Sequence, residues 1–401
     1  MSNIIIIGAG QAGSSAAFKL RALGYEGSIT LIGEEAYAPY QRPPLSKAYL
    51  LGELETDRLL LKPKASYEDN NIRLILGATV KSMDPAKQVV CVGDETLNYD
   101  ELILTTGSSP IALPTSMGGS LQRVYSIRTL ADIDAMAPEF VEGHKVLIVG
   151  GGYIGLEAAA VSAKKGLDVT VVEMADRILQ RVAAPETSDY FRQLHQSHGV
   201  TIHEGVGLNR LIGEGSVHGA ELSNGETLDV DFVLVGIGIR PNITLAEDVG
   251  IKIENGIETD AFGRTSHPHI WAAGDCASFP FNDKRIRLES VPNAIGQAEA
   301  IAGNIMGAQT EYVAKPWFWS DQFDIKLQIA GLNTGFDRVV VRSNAQPQSI
   351  SHWYYAGETL LAVDAMNAPR EFMIGRRLIE NGKSPDPVLI ANPETDLKSL
   401  M

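Results

Sequence analysis

Cysteine is almost absent: Cys91 and Cys276 are the only two in 401 residues, far apart and in no C-x-x-C pairing. A disulfide scaffold is not indicated, and a reducing cytoplasm fits. Long apolar runs are missing too. No stretch approaches the roughly 20 residues that a bilayer-crossing helix needs, and the chain enters its first apolar run with no basic segment or signal-like stretch ahead of it. Positive charge is also scarce: 34 Lys and Arg stand against 49 Asp and Glu, a formal net charge of −15. Such a balance argues against nucleic acid and anionic membranes as partners. Apolar content of 44% and charged content of 21% are ordinary for a globular enzyme, and the length suits about two or three domains.

Glycine is present in a telling arrangement. Ile4, Ile5, Ile6 and Ile7 read as a buried parallel strand, followed by Gly8-Ala9-Gly10-Gln11-Ala12-Gly13 and a helical pattern over residues 14–23. A second apolar run, residues 29–32, leads to Glu34. Strand, glycine turn, helix, strand and acid make up a dinucleotide fingerprint. In it Gly8 permits the tight turn, Gly10 lets the backbone approach a pyrophosphate, and Gly13 lets helix and strand lie close. The helix N-terminus offers its free N–H groups to the phosphates. The same succession recurs: residues 146–149, Gly150-Gly151-Gly152-Tyr153-Ile154-Gly155, a helix through Lys165, a strand over 169–172, and Glu173. Two fingerprints imply two nucleotide sites.

Between them, Tyr40-Gln41-Arg42-Pro43-Pro44-Leu45-Ser46-Lys47 reads as a loop stiffened by paired prolines and presenting two cations. Strands are expected at 73–76, 87–92 and 101–104, and a helix at 185–198. His195, His198 and His203 lie near one another in sequence, but no cysteine or carboxylate cluster completes a metal site. A short strand over 270–273 delivers Gly274-Asp275 to its C-terminal end, where ligands of open α/β sheets sit. A helix over 291–306 follows. From residue 315 the texture changes to an aromatic cluster, Trp317-Phe318-Trp319, four strands (327–330, 339–342, 349–355, 359–363) and a closing helix at 369–380. The fold class read from this is α/β: two Rossmann-like dinucleotide-binding domains plus a C-terminal α+β domain. The expected boundaries are 1–109 with 239–314, 110–238, and 315–401.

In order along the chain, the two fingerprints, Arg42-Pro43-Pro44-Leu45-Ser46-Lys47, Gly274-Asp275, Glu289-Ser290-Val291-Pro292-Asn293-Ala294 and Pro316-Trp317-Phe318-Trp319-Ser320-Asp321-Gln322 form a specific set. It resembles the FAD-containing, NADH-dependent ferredoxin reductases of bacterial oxygenase systems, with rubredoxin reductases as near relatives and a glutathione-reductase-like architecture. The resemblance implies FAD on Gly8, Gly10, Ala12, Gly13, Glu34, Val80, Gly274, Asp275 and Val291, with Arg42, Lys47, Arg128 and Trp319 as further contacts. It implies NADH on Gly150, Gly152, Gly155, Glu173 and Gly236, and a Lys47–Glu157 pair beside the reacting rings; Arg181, eight residues past Glu173, is expected to touch the NADH phosphates. At Glu34 the sequence departs from the family, where Asp is frequent.

The activity so implied is transfer of hydride from NADH to FAD and then of single electrons to a [2Fe–2S] ferredoxin. The expected protein is a cytoplasmic monomer that touches neither membrane nor nucleic acid. Alternatives on the same architecture are a rubredoxin reductase, a disulfide or peroxide reductase, and a non-catalytic redox-sensing protein. The disulfide chemistry needs a thiolate where this chain has Ser46 and Lys47. For an acidic ferredoxin, Arg370, Arg376, Arg377 and Lys326 are the candidate docking cations.

Overall fold

The computed structural model describes residues 2–343 and 348–401. The chain divides into two compact units, one of Met1–Gln41, Glu55–Ser109 and Arg240–Pro316, the other of Arg42–Leu54, Pro110–Ile239 and Trp317–Met401. Among the described residues, no helix is long and apolar enough to cross a membrane.

In the first unit, the Asn3–Ile7 strand is central to a five-stranded parallel sheet. The order is Ile270–Ala272, Glu101–Leu104, Asn3–Ile7, Ser28–Ile32, Ile72–Ile75. Alternation sends Ile4 and Ile6 to one face and Ile5 and Ile7 to the other, and both faces are covered. That double burial is why the strand reads as an unbroken apolar run. One face is packed by the Gln11–Ala22 and Val291–Ile305 helices. Ala12, Ala16 and Ala17 meet Ala294, Ala298 and Ala302 there, small side chains that let the helices approach closely.

The second unit repeats the plan. The Lys145–Val149 strand is central in the order Thr201–Glu204, Asp168–Glu173, Lys145–Val149, Phe232–Val235, Val124–Ser126, again all parallel. This unit also holds an antiparallel sheet in the order Trp317–Gln322, Ile325–Gly331, Thr359–Met366, Ile350–Ala356, Arg338–Ser343. The Pro369–Glu380 helix covers one face of that sheet through Phe372, Ile374 and Leu378. Leu156 and Phe191, from the Tyr153–Lys164 and Pro185–Ser197 helices, pack with Ile325, Leu327 and Met366 in a separate cluster.

Three local expectations need correction. The first helix starts at Gln11 rather than at residue 14, because Gly10 is already its N-cap. The aromatic cluster is itself a strand, Trp317–Gln322. The stiffened loop expected over residues 40–47 extends only to Pro44: Leu45–Tyr49 is a π-type helical turn, broken at Lys47 where φ is −135° and ψ −114°. Pro44 can cap this turn because an N-terminal position requires no N–H donor from it.

Candidate functional site

The two glycine turns are built alike. Gly8 has φ +114°, and a Cβ there would lie 2.1 Å from the Thr105 carbonyl oxygen; Gly150 has φ +110°, and its Cβ would lie 2.4 Å from the Gly236 carbonyl oxygen. Only glycine satisfies both the backbone and the contact. A Cβ on Gly13 would stand 2.1 Å from the oxygen of Gly8, and one on Gly155 would stand 2.2 Å from the oxygen of Gly150. Gly10 and Gly152, the N-caps of the two helices, face open space with no atom within 4 Å of an added Cβ. A pyrophosphate needs that close backbone approach at a helix N-terminus, so both turns fit a dinucleotide.

The acids after the second strands are not equivalent. Ile7 pairs with Ile32 and Val149 with Val172, so Glu34 lies two residues past the paired end and Glu173 one. Glu34 is exposed, with the Thr79 hydroxyl 3.4 Å away. Glu173 folds back on its own turn and accepts from the Gly151 N–H at 2.7 Å and the Ala175 N–H at 2.9 Å.

Elsewhere in the first unit, Gly274 has φ +81°, and an added Cβ would meet that of Ala12 at 3.2 Å. This brings the Gly-Asp segment to the first glycine turn. The Gln297 side chain accepts from the Gly274 N–H at 2.8 Å, and the Ser108 hydroxyl donates to the Asp275 carboxylate at 2.8 Å. Val291 opens its helix behind the Ser290 N-cap. The Val80 side chain is packed in the core, so any ligand contact at that position falls to its main chain.

In the second unit, Glu157 is 4% exposed on the Tyr153–Lys164 helix. Its Oε2 accepts from the Lys47 ammonium at 2.7 Å and the Ser46 hydroxyl at 2.6 Å, and its Oε1 from the Ser320 hydroxyl at 2.7 Å. The broken turn at Lys47 is what lets consecutive residues reach the same oxygen. A buried carboxylate with a cation and two hydroxyls is well compensated, and removing the cation would be costly. The Arg42 guanidinium donates to the Arg128 carbonyl at 2.5 Å, just before the capping box of Thr129 and Asp132. The Arg181 guanidinium stands beside Gly238, past the end of the Phe232–Val235 strand. Trp319 stacks with Trp317 at 5.4 Å and 30°.

Sequence reasoning missed the two hydroxyls on Glu157, since a serine carries no signal of its own. The histidines have other roles: buried His195 bonds the Gln322 side chain at 2.8 Å, and His198 stacks on Phe323 at 3.8 Å. Among the described residues no group of three or more His, Cys, Asp or Glu could hold a metal ion. The proposed docking cations are largely engaged: Arg370 pairs with Asp396, and Arg376 pairs with Glu380 and lies 5.4 Å over the Trp317 ring.

Residues 2–298 match the pyridine nucleotide-disulphide oxidoreductase family, and residues 317–401 match the family described as reductase C-terminal. A ferredoxin–NAD(P)(+) reductase of Sphingomonas sp is 42% identical, with 100% of this chain and 97% of the relative covered. Putidaredoxin reductase of Pseudomonas putida is 38% identical over 100% of this chain and 96% of its own. Among solved structures, the covalent putidaredoxin reductase–putidaredoxin complex matches with a TM-score of 0.96 at 38% identity, covering 100% of this chain and 98% of the other. With paired glycine cradles and full-length relatives of this kind, the chain belongs to the pyridine nucleotide-disulphide oxidoreductase family, in its branch of ferredoxin reductases with the reductase C-terminal domain.

Proposed function

We infer that this chain is an NADH-dependent flavoprotein that reduces a [2Fe–2S] ferredoxin serving an oxygenase. The observation that carries the reading is the pair of matched glycine cradles in one chain, which calls for two dinucleotides. FAD and NADH supply the chemistry when bound, because nicotinamide gives electrons in pairs and an iron–sulfur protein takes them singly. The chain's residues hold and orient. Gly8, Gly10, Ala12, Gly13, Glu34, Val80, Gly274, Asp275 and Val291 are assigned to FAD, with Arg42, Arg128 and Trp319 as further contacts. Gly150, Gly152, Gly155, Glu173, Arg181 and Gly236 are assigned to NADH. Lys47 and Glu157 are the pair assigned beside the nicotinamide.

The corresponding domains are 1–109 with 239–314 for FAD, 110–238 for NADH, and 315–401 for the C-terminal part. NADH is the preferred donor, since an acid at Glu173 accepts from a ribose hydroxyl and repels a 2′-phosphate. Electrons leave without a thiol relay: burial raises the Cys276 thiol above its ordinary range, and Cys91 has no neighbouring cysteine in sequence. We place the protein in the cytoplasm as a monomer.

The test is anaerobic turnover. NADH with ferredoxin and cytochrome c should give fast reduction, and omission of ferredoxin should nearly abolish it; heat should release FAD. Equal rates without ferredoxin, or release of FMN, would overturn the reading.

A further inference from the structure

Glu157 is one end of a longer buried chain that this activity does not use. Ser320 lies on the Trp317–Gln322 strand, is fully buried and touches Glu157 Oε1 at 2.7 Å. Two residues on, on the same face of the strand, the Gln322 amide reaches Ser320 Oγ at 3.2 Å. The other end of that amide meets His195 Nε2 at 2.8 Å. Ser320, Gln322 and His195 are all 0% exposed, and among the described residues His195 Nδ1 has no partner.

The direction of the chain follows from which atoms can give a hydrogen. A carboxylate only accepts, so Ser320 must donate to Glu157. Ser320 then has lone pairs left, which fixes the Gln322 NH2 toward it and the Gln322 oxygen toward His195. His195 must carry its proton on Nε2, leaving a bare lone pair at the orphaned Nδ1. Every hydrogen points toward Glu157. The reversed chain requires a protonated Glu157 and a His195 with its proton on Nδ1. That would strand a buried N–H donor, the rarer and costlier kind of orphan.

We propose that Ser320, Gln322 and His195 are positioning residues whose one-way hydrogen-bond chain holds Glu157 as a carboxylate and so keeps an anion in place for Lys47. The proposal rests on reading Lys47 and Glu157 as the pair beside the nicotinamide. Other charges near Glu157 are occupied elsewhere or distant along their elements. On the turn, Tyr49 donates to Asp134. On the strand, Asp321 points to the opposite face from Ser320 and has Lys326 at 4.0 Å. On the adjoining parallel strands, Glu173 is taken up by backbone N–H groups, and Lys145 and Asp168 stand at the starts of those strands. On its own helix, Lys164 is at the far end and reaches the Phe323 carbonyl, while burial raises the Tyr153 phenol far above its ordinary range, so it stays neutral.

Two spectroscopic readouts on the FAD-loaded protein test this. In wild type, nitrogen-15 imidazole spectra should show His195 as the Nε2–H tautomer; an Nδ1–H tautomer at neutral pH would overturn the chain without any mutation. In infrared spectra at neutral pH, with the Glu157 carboxylate band assigned by its loss in Glu157→Gln, Ser320→Ala should shift that band, because one carboxylate oxygen loses its hydrogen bond. Ser320→Thr, which keeps the hydroxyl, should restore it. A carboxylate band at the same position in wild type and Ser320→Ala would refute the positioning role. A Glu157→Gln enzyme with unchanged NADH turnover would instead remove the pair's function, while leaving the infrared shift to be seen.

Discussion

Replacing Gly10 and Gly13 in turn by alanine separates holding a nucleotide from folding. At Gly13 the new methyl would start 2.1 Å from the Gly8 oxygen, with the Leu31 Cδ1 and Thr105 Oγ1 atoms each 3.0 Å away. All three neighbours belong to the sheet or to the turns at its strand ends, so the helix itself must shift. Overpacking of this kind costs about 1–3 kcal/mol, and alanine's helix preference returns about 1 kcal/mol. A start only 2.1 Å from a main-chain oxygen puts the cost toward the top of that range, and the net loss of about 1–2 kcal/mol lowers the melting temperature by several degrees, at about 2–4 °C per kcal/mol for a unit of this size. At Gly10 nothing lies within 4 Å and φ is −99°, so alanine fits without strain. Its methyl would occupy the space assigned to the pyrophosphate, weakening FAD by about tenfold or more, or about 1.4 kcal/mol. Thermal unfolding of the flavin-free protein and flavin-fluorescence titration give the two quantities. Gly10→Ala that binds FAD like wild type, or Gly13→Ala with an unchanged melting temperature, would refute the reasoning. Gly152→Ala and Gly155→Ala should repeat the contrast with NADH in place of FAD.

Glu173→Ala should narrow the preference for NADH over NADPH by about 1–2 kcal/mol, read from the ratio of kcat/KM values; wild type using both equally would contradict the role of Glu173. Reversing Arg376 and Arg377 to Glu should slow ferredoxin reduction and leave NADH–ferricyanide turnover unchanged, with only the ferredoxin rate falling steeply with salt; equal salt sensitivity of both acceptors rules the patch out. For stability, burial lowers both His195 and His352 from 6.5 to about 4, so their contribution is complete above pH 6.5 and is lost as pH falls through 4. Burial raises Asp364 from 3.8 to about 6, so its contribution is complete below 3.8 and is lost as pH rises through 6. Between pH 4 and 6 the unfolded state thus binds two more protons at the histidines and one fewer at Asp364. These three groups together cost up to about 1.4 kcal/mol per pH unit on acidification. His352→Gln should flatten that slope in denaturant titrations, and an unchanged slope would contradict it.

The doubled Rossmann plan was legible because each glycine position has a separate steric cause, and the strand patterns on either side agree with it. The apolar run at Ile4 to Ile7 likewise follows from a sheet covered on both faces. What stayed hidden depends on long-range contacts. The turn at Leu45–Tyr49 is not written in its prolines; its geometry accompanies the bonds from Ser46 and Lys47 to a carboxylate 110 residues away. Glu34 and Glu173 differ in sequence only by the intervening Gly33, and nothing there shows that Glu173 alone turns back onto its own glycine turn. His195 looked like a loose candidate ligand on a helix until the Gln322 strand covered it. The pairing of Lys47 with Glu157 came from resemblance, since nothing local to either residue names the other.

The Arg42–Leu54 strap has a consequence for anyone who would divide this protein. In sequence it is an insertion in the stretch that carries the first glycine turn, yet it counts with the second unit. A fragment cut at residue 110 would retain the two five-stranded sheets of that unit and discard the only cation bonded to Glu157 among the described residues. The fragment would carry a buried carboxylate whose partner has been removed, a defect worth about 3–5 kcal/mol. Any graft of the second unit onto another scaffold must therefore bring the strap as a second piece of chain, or replace Glu157 with a neutral residue.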